Sequence, residues 1–325
     1  MKTSVRIAAF AAVLAVVVVA AYAIGAVVQP DTDTGEHAPA NHAGGSQNMP
    51  AGSDSANTSD AGSGDGVQGV SLSDADVMLS PVAAPTTVGT PGDIAFAIQT
   101  LTGRPVTDFE VEHDKRLHLI VVRSDGAHFR HVHPTMVADG RWSLPWTWPA
   151  AGAYRVFADF TPSATKRPAT LTRTVDVAGD YRPEPATQPT TTAAVDGFTA
   201  TLDGRLLAGE SSTMTATVSR NGQPVTALQP YLGAYGHLVA LREGDLAYLH
   251  AHPGGEPPAP GKTSGPTVEF EVHAPTPGRY LLYLDFKVDD TVRTARFVLD
   301  ADGGAGGTNQ TGRSATPGGP GHQGH

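Results

Sequence analysis

The sequence predicts an all-β protein made of two tandem β-sandwiches, set behind an N-terminal transmembrane helix and a disordered tether. Three observations predict it. Shifting the chain by 119 residues aligns Gly92–Pro134 with Ser211–Pro253 without a gap, so the body is a duplication. Within each copy large apolar residues alternate with period two, as in Ile94, Phe96 and Ile98, and Gly/Pro/Asp turn signals separate the runs. No stretch beyond the first 28 residues carries helical periodicity. About seven short strands in roughly a hundred residues is the pattern of an immunoglobulin-like sandwich.

The elements follow in order. Residues 1–28 hold a charge-free run, Ile7–Val28, preceded by Lys2 and Arg6. About 20 apolar residues span a bilayer as a helix, and the flanking cations stay on the cytoplasmic side. A cleaved signal peptide is the alternative, because Ala21-Tyr22-Ala23 is an A-x-A pattern. The apolar run continues past that site through Val28, which favours an uncleaved single-pass anchor with the rest of the chain outside the cytoplasm; cleavage would make the protein secreted. Residues 29–69 are Gly, Ser, Asp, Asn, Pro and Ala with almost no large apolar side chain, and read as a disordered tether. Residues 70–179 form the first sandwich, 180–194 a Pro/Thr-rich linker, 195–300 the second sandwich and 301–325 a disordered tail.

Composition removes whole classes of function. The 325 residues include 22 Lys+Arg against 32 Asp+Glu, a net charge of -10 without a basic cluster, so nucleic acid is excluded as a partner. Zero cysteines exclude disulfides, thiolate catalysis, iron–sulfur clusters, thiolate zinc sites, blue-copper ligation and a lipobox anchor. Thirteen histidines remain. Four of them, His37, His42, His322 and His325, lie in the tether and tail and read as solvated.

The others concentrate in one hairpin of each copy. In the first, His118–Arg123 and His128–His133 flank Asp125-Gly126, a dipeptide that favours a two-residue type I′ turn. That turn makes paired residue numbers sum to 251, so Ile120 faces His131 and His118 faces His133. In the second copy the sum is 489, with Val239 opposite His250 and His237 opposite His252. Side chains two apart on a strand share a face, and cross-strand Cβ atoms lie ~4.5–5.5 Å apart. His118, His131 and His133 therefore sit on one face, as do His237, His250 and His252. Three neutral imidazoles so placed can converge on one ion at ~2.0–2.1 Å. The competing reading is architectural, with the rings bonding buried carbonyls and no ion present. Burying three ionisable rings on one face as mere structure is costly, which favours metal. Histidine without thiolate suits Zn(II), Cu(II) or Ni(II), with copper tightest in the divalent series and expected ahead of zinc.

Further candidates surround the hairpins. His113 approaches His118 if Asp114-Lys115-Arg116 is a tight turn, and Glu112 precedes it; the second copy has Leu232 and Gly233 there. Asp159 and Asp285 recur in an Asp-Phe pair, out of phase with the core aromatics; they orient a histidine or face solvent, and solvent is the expectation. Met136 offers a thioether that Gly255 does not repeat. His273 reads as a surface residue, and Trp142, Trp146 and Trp148 read as core.

The stretches His118–Pro134 and His237–Pro253, reading His-Leu-(Ile/Val) through to His-x-His-Pro, resemble a poorly characterised group of bacterial membrane-anchored envelope proteins with tandem sandwich domains. The copies also resemble the small YtkA-like and copper-resistance CopC-like sandwiches, without the Met-rich loop of the latter. The resemblance covers Val70 to Asp300 and implies an extracytoplasmic, copper-related role. The function expected is a membrane-tethered metal-binding protein with one site per copy or one shared site at the domain interface. The alternative is a metal-free structural or protein-interaction pair, with an unidentified envelope protein as partner. An enzyme is not expected, since no general base stands near both hairpins and the Gly-x-Ser-x-Gly and His-Glu-x-x-His patterns are absent.

Overall fold

The computed structural model describes residues 67–259 and 261–303, the side chain of His250 excepted. The transmembrane helix expected at 1–28 and most of the tether and tail lie outside the described residues. Among these the secondary structure is all β, with no helix long and apolar enough to cross a membrane.

The first copy contains β1 (Ser73–Asp74), β2 (Val77–Leu79), β3 (Gly92–Thr100), β4 (His118–Arg123), β5 (Arg130–Val132), β6 (Thr135–Met136), β7 (Arg141–Trp146), β8 (Gly152–Phe160) and β9 (Ala169–Val177). One sheet runs β1-β2-β3-β7-β6 and the other β5-β4-β8-β9. Alternation in β3 turns Ile94, Phe96 and Ile98 inward against Trp142, Trp146 and Trp148, and the opposing sheet contributes Leu119, Val121, Tyr154 and Val156. The three tryptophans are core, as expected.

The second copy comprises β10 (Thr192–Val195), β11 (Phe198–Asp203), β12 (Ser211–Arg220), β13 (Gln223–Pro224), β14 (His237–Arg242), β15 (Tyr248–Pro253), β16 (Thr267–His273), β17 (Gly278–Val288) and β18 (Thr291–Ala301). Here β15 pairs with β14 on one side and β16 on the other, which joins the two layers into one path, β10-β11-β12-β16-β15-β14-β17-β18. In the first copy the same stretch is split into β5 and β6 around His133 and Pro134.

A third apolar core lies between the copies. Ile120, Val122 and Phe157 of the first meet Val239, Leu241, Tyr248, Leu281, Tyr283 and Val298 of the second. Two ring contacts cross it: Phe129 stacks on Tyr283 (3.9 Å between centroids, 6° between planes) and Tyr248 approaches Phe157 at 6.0 Å. All six residues of β4 are buried, because one face covers its own sandwich and the other covers the neighbour.

The hairpin registers match the expected sums. Ile120 pairs with His131, and Val239 with His250. The turn at Asp125-Gly126 differs from the expected type I′. Gly126 has φ 78° but Asp125 has no positive φ; Gly126 N–H donates to Arg123 C=O (2.7 Å) and Arg123 N–H to Ala127 C=O (2.9 Å). The Asp125 carboxylate explains the choice, since it folds back to accept from the Arg123 guanidinium (2.9 and 2.8 Å) and from Ala127 N–H (3.1 Å). His128, at φ 54°, absorbs the extra residue and restores the register. Two-residue turns with both φ positive occur instead at His113-Asp114 (47°, 62°) and Leu232-Gly233 (53°, 73°).

Val67, Gln68 and Gly69, read as the end of the tether, are engaged with the second copy. Tyr248 N–H donates to Gln68 C=O (2.9 Å), and a Cβ on Gly69 (φ 67°) would lie 2.6 Å from Tyr248 Cβ and 3.1 Å from the Phe157 ring. Gly69→Ala is therefore expected to destabilise the protein by about 1–3 kcal/mol, through both the backbone conformation and the overlap. A shift in the urea midpoint reads it, and an unchanged midpoint would show that this strand end carries no load.

Candidate metal centre

The two-residue turn at His113-Asp114 delivers the chain into β4 with the Glu112 carbonyl beside His118. His118 Nε2–H donates to that carbonyl (3.1 Å), which leaves Nδ1 as the ring's lone pair. His131, on the paired strand β5, donates Nδ1–H to Asp285 Oδ2 of the second copy (2.9 Å), which leaves its Nε2 as the lone pair. These two free nitrogens stand 3.0 Å apart, and His133 Nε2 is 3.2 Å from the same His118 Nδ1. All three ligand atoms lie within 4.8 Å of one another.

Two fixed lone pairs at 3.0 Å repel unless a positive charge sits between them. That charge is a metal ion or a proton. Three nitrogens bound to one ion at 2.0–2.1 Å would be separated by ~2.9 Å at right-angle geometry and ~3.4 Å at tetrahedral geometry. The separations of 3.0 and 3.2 Å fall inside that interval. His118 and His133 also favour their neutral, ligating form: burial, then the neighbouring His131, lowers His118 to about 4, and burial lowers His133 to about 2.

Asp285 overturns the expectation that it faces solvent. It is 3% exposed, and its second oxygen accepts from Thr294 Oγ1 (2.6 Å). Being out of phase with its own core points it into the interface between the copies, not into water. The recurring Asp-Phe pair was the available signal; what lay opposite was not. Such a carboxylate behind a ligating imidazole fixes the tautomer and raises the basicity of the ligating nitrogen.

The second copy repeats part of this arrangement. His237 is buried and donates Nε2–H to the Tyr231 C=O (2.8 Å) across the Leu232-Gly233 turn; burial lowers it to about 4. Its ring neighbours include His113 (5.3 Å), His131 (6.3 Å) and Tyr231 (5.9 Å). His252 is exposed, and the His250 side chain lies outside the described residues. His113 does approach His118, at 6.1 Å between centroids. A cleft of about 440 Å³ between the copies is lined by His113, His118, His131, Asp159, His237 and His252, with exposed His273 at its edge. Met136 packs against the first core, so its thioether serves packing.

A family model described as a domain of unknown function (DUF8832) matches the chain twice, over residues 70–178 and 193–303. No curated protein matches. Similar solved structures include an adhesin, InvE, from Yersinia pseudotuberculosis (11% identity, 69% of this chain and 58% of that one, TM-score 0.20). Others are invasin, a bacterial integrin-binding protein (14%, 70% and 39%, 0.20), and a putative membrane anchored protein from Corynebacterium diphtheriae (12%, 69% and 58%, 0.20). The chain thus spans little more than half the length of the first of these and less of the second. The family match covers more than half of the chain and falls on both copies of the duplication, so the chain belongs to the DUF8832 family and carries its domain in tandem.

Proposed function

We propose that this is a membrane-tethered, extracytoplasmic protein that binds a divalent transition metal, copper ahead of zinc, at His118, His131 and His133. Its role is to bind and carry or buffer the ion, not to catalyse. One observation carries the reading: backbone and carboxylate acceptors hold the outer nitrogens of His118 and His131, so that their lone pairs meet at 3.0 Å where only a cation resolves the contact. The apolar run Ile7–Val28 supports the tether and the compartment. Kinship with copper-handling YtkA-like and CopC-like sandwiches belongs to this proposal and rests on the hairpin pattern alone.

A second reading is favoured by the same Asp285. A proton between His131 and His118, balanced by that buried carboxylate, would make the cluster an architectural joint in a metal-free interaction protein.

Titration with Cu(II) and Zn(II) chloride separates the two. The protein is the full chain in detergent carrying His37→Gln, His42→Gln, His322→Gln and His325→Gln, which removes the terminal histidines. His118→Ala with His133→Ala is expected to abolish one tight equivalent while the chain stays folded by circular dichroism. If the variant binds as many ions as its parent with the same affinity, the metal reading fails and the joint remains.

A further inference from the structure

We infer that the chain has a second divalent-metal site, at His237, His250 and His252, and that the two sites are cross-braced, with Asp159 of the first sandwich orienting the second site as Asp285 of the second orients the first. The inference rests on the metal reading of the first site.

The interface between the copies is built twice over. Phe129 and Tyr248 are equivalent at the 119-residue offset, and Phe157 and Tyr283 at the 126-residue offset that relates β8 to β17. Phe129 packs on Tyr283 while Tyr248 packs on Phe157, so each hairpin aromatic covers the other copy's central strand. An interface of this pseudo-two-fold kind returns its main contacts in exchanged form, as a two-fold dimer returns all of them. The contact to be returned is His131 with Asp285.

Its counterpart is already assembled on the carboxylate side. Asp159 stands opposite His118 in the β4–β8 register, as Asp285 stands opposite His237 between β14 and β17. Asp159 Oδ1 accepts from Thr170 Oγ1 (2.9 Å), and Asp285 Oδ1 from Thr294 Oγ1 (2.6 Å), each threonine being the carboxylate's cross-strand partner. On the histidine side, His237 keeps the tautomer of His118: Nε2–H goes to the carbonyl before the two-residue turn, so Nδ1 is the free lone pair. His250 holds the register position of His131, opposite Val239, and His252 follows two residues on. Asp159, His237 and His252 line one cleft. A departure from the symmetry is Tyr248, whose hydroxyl lies within electrostatic reach of Asp159 where Phe129 has no polar side-chain atom to offer Asp285.

The decisive background is the same full chain with the terminal histidines replaced and with His118→Ala and His133→Ala added, so that only the second copy can bind tightly. Cu(II) and Zn(II) are the probes, read by calorimetry, by native mass spectrometry for stoichiometry, and by electron paramagnetic resonance of the copper form. One equivalent is expected to remain. Asp159→Asn in this background should weaken it 10–100-fold and alter the copper hyperfine pattern, while Asp93→Asn, at an exposed carboxylate outside both sites, leaves both unchanged. If Asp159→Asn does not fold, His252→Ala, at an exposed position, should remove the equivalent. A background that binds no ion overturns the second site and leaves the first standing. Unchanged affinity and spectrum in Asp159→Asn overturn the cross-brace. Failure of the metal reading itself has a separate signature, because there the parent and the His118/His133 variant bind alike.

Discussion

Taking the metal-free protein from pH 7.5 to pH 5 is expected to lower its unfolding free energy by up to about 2 kcal/mol through the partly exposed His133 and by about 4 kcal/mol through His118 and His237. The last two are nearly buried, at 8% and 7% exposure, and burial lowers each to about 4 in the folded protein. The unfolded chain titrates them near 6.5. Between those values the unfolded state binds more protons than the folded state, so stability is full above pH 6.5 and declines as pH falls toward 4. At pH 5 each ring has lost about 2 kcal/mol, from ~1.5 pH units at 1.36 kcal/mol per unit. Asp125, which its partners hold at about 2, contributes in a different window. Its share is present above pH 4 and disappears only below that, so it does not blur the effect. Urea unfolding at pH 7.5, 6, 5.5 and 5 measures the decline, and His237→Gln should remove about a third to a half of its slope. A flat profile over this range would mean that the rings accept protons in place, and that the cluster is looser than its geometry.

The pH response depends on burial that the sequence conveys only in part. Alternation in Ile94-x-Phe96-x-Ile98 and the histidine spacing determine strand identity and register, and the sums of 251 and 489 hold because pairing in an antiparallel ladder is integer arithmetic once one pair is known. The turn that supplied that arithmetic had a different shape. A dipeptide reports backbone permissiveness, whereas the folded loop also answers to Arg123, whose guanidinium holds the Asp125 side chain.

The interface between copies was present in the letters but not interpretable alone. His118-Leu-Ile-Val-Val breaks period two, and an unbroken apolar run signals a strand covered on both faces. Nothing in one copy says what covers the second face. The answer is the other copy, and it converts residues that alternate outward into buried ones. Asp285 is the clearest instance: its phase within β17 was readable, its destination was not. The first histidine triad converges as its spacing requires, because backbone pairing alone places it. The carboxylate that orients it comes from 154 residues away and needs the tertiary structure.

Tyr283→Ala is expected to cost about 3–5 kcal/mol of stability and, with it, 10–100-fold in metal affinity at a site the residue does not touch. Tyr283 is 1% exposed, lies flat on Phe129, and donates its hydroxyl to the Gly126 carbonyl at 2.6 Å. Truncation leaves a cavity in the core that joins the copies and an unpaired carbonyl at the tip of the histidine hairpin. Each sandwich retains its own core, so the damage falls on their docking. Asp285 lies two residues further along β17 on the same face, and its grip on His131 depends on that docking. Tyr283→Phe separates the two contributions: it keeps the stacked ring, loses about 1–3 kcal/mol for the carbonyl, and should leave metal affinity near that of the parent. Denaturant unfolding and copper titration of both variants supply the test. If Tyr283→Ala destabilises the chain yet binds copper unchanged, the triad is ordered by its own hairpin and the second sandwich is a bystander. If affinity falls with docking, the duplication has a chemical purpose, because each sandwich is then part of the wall of the other's site.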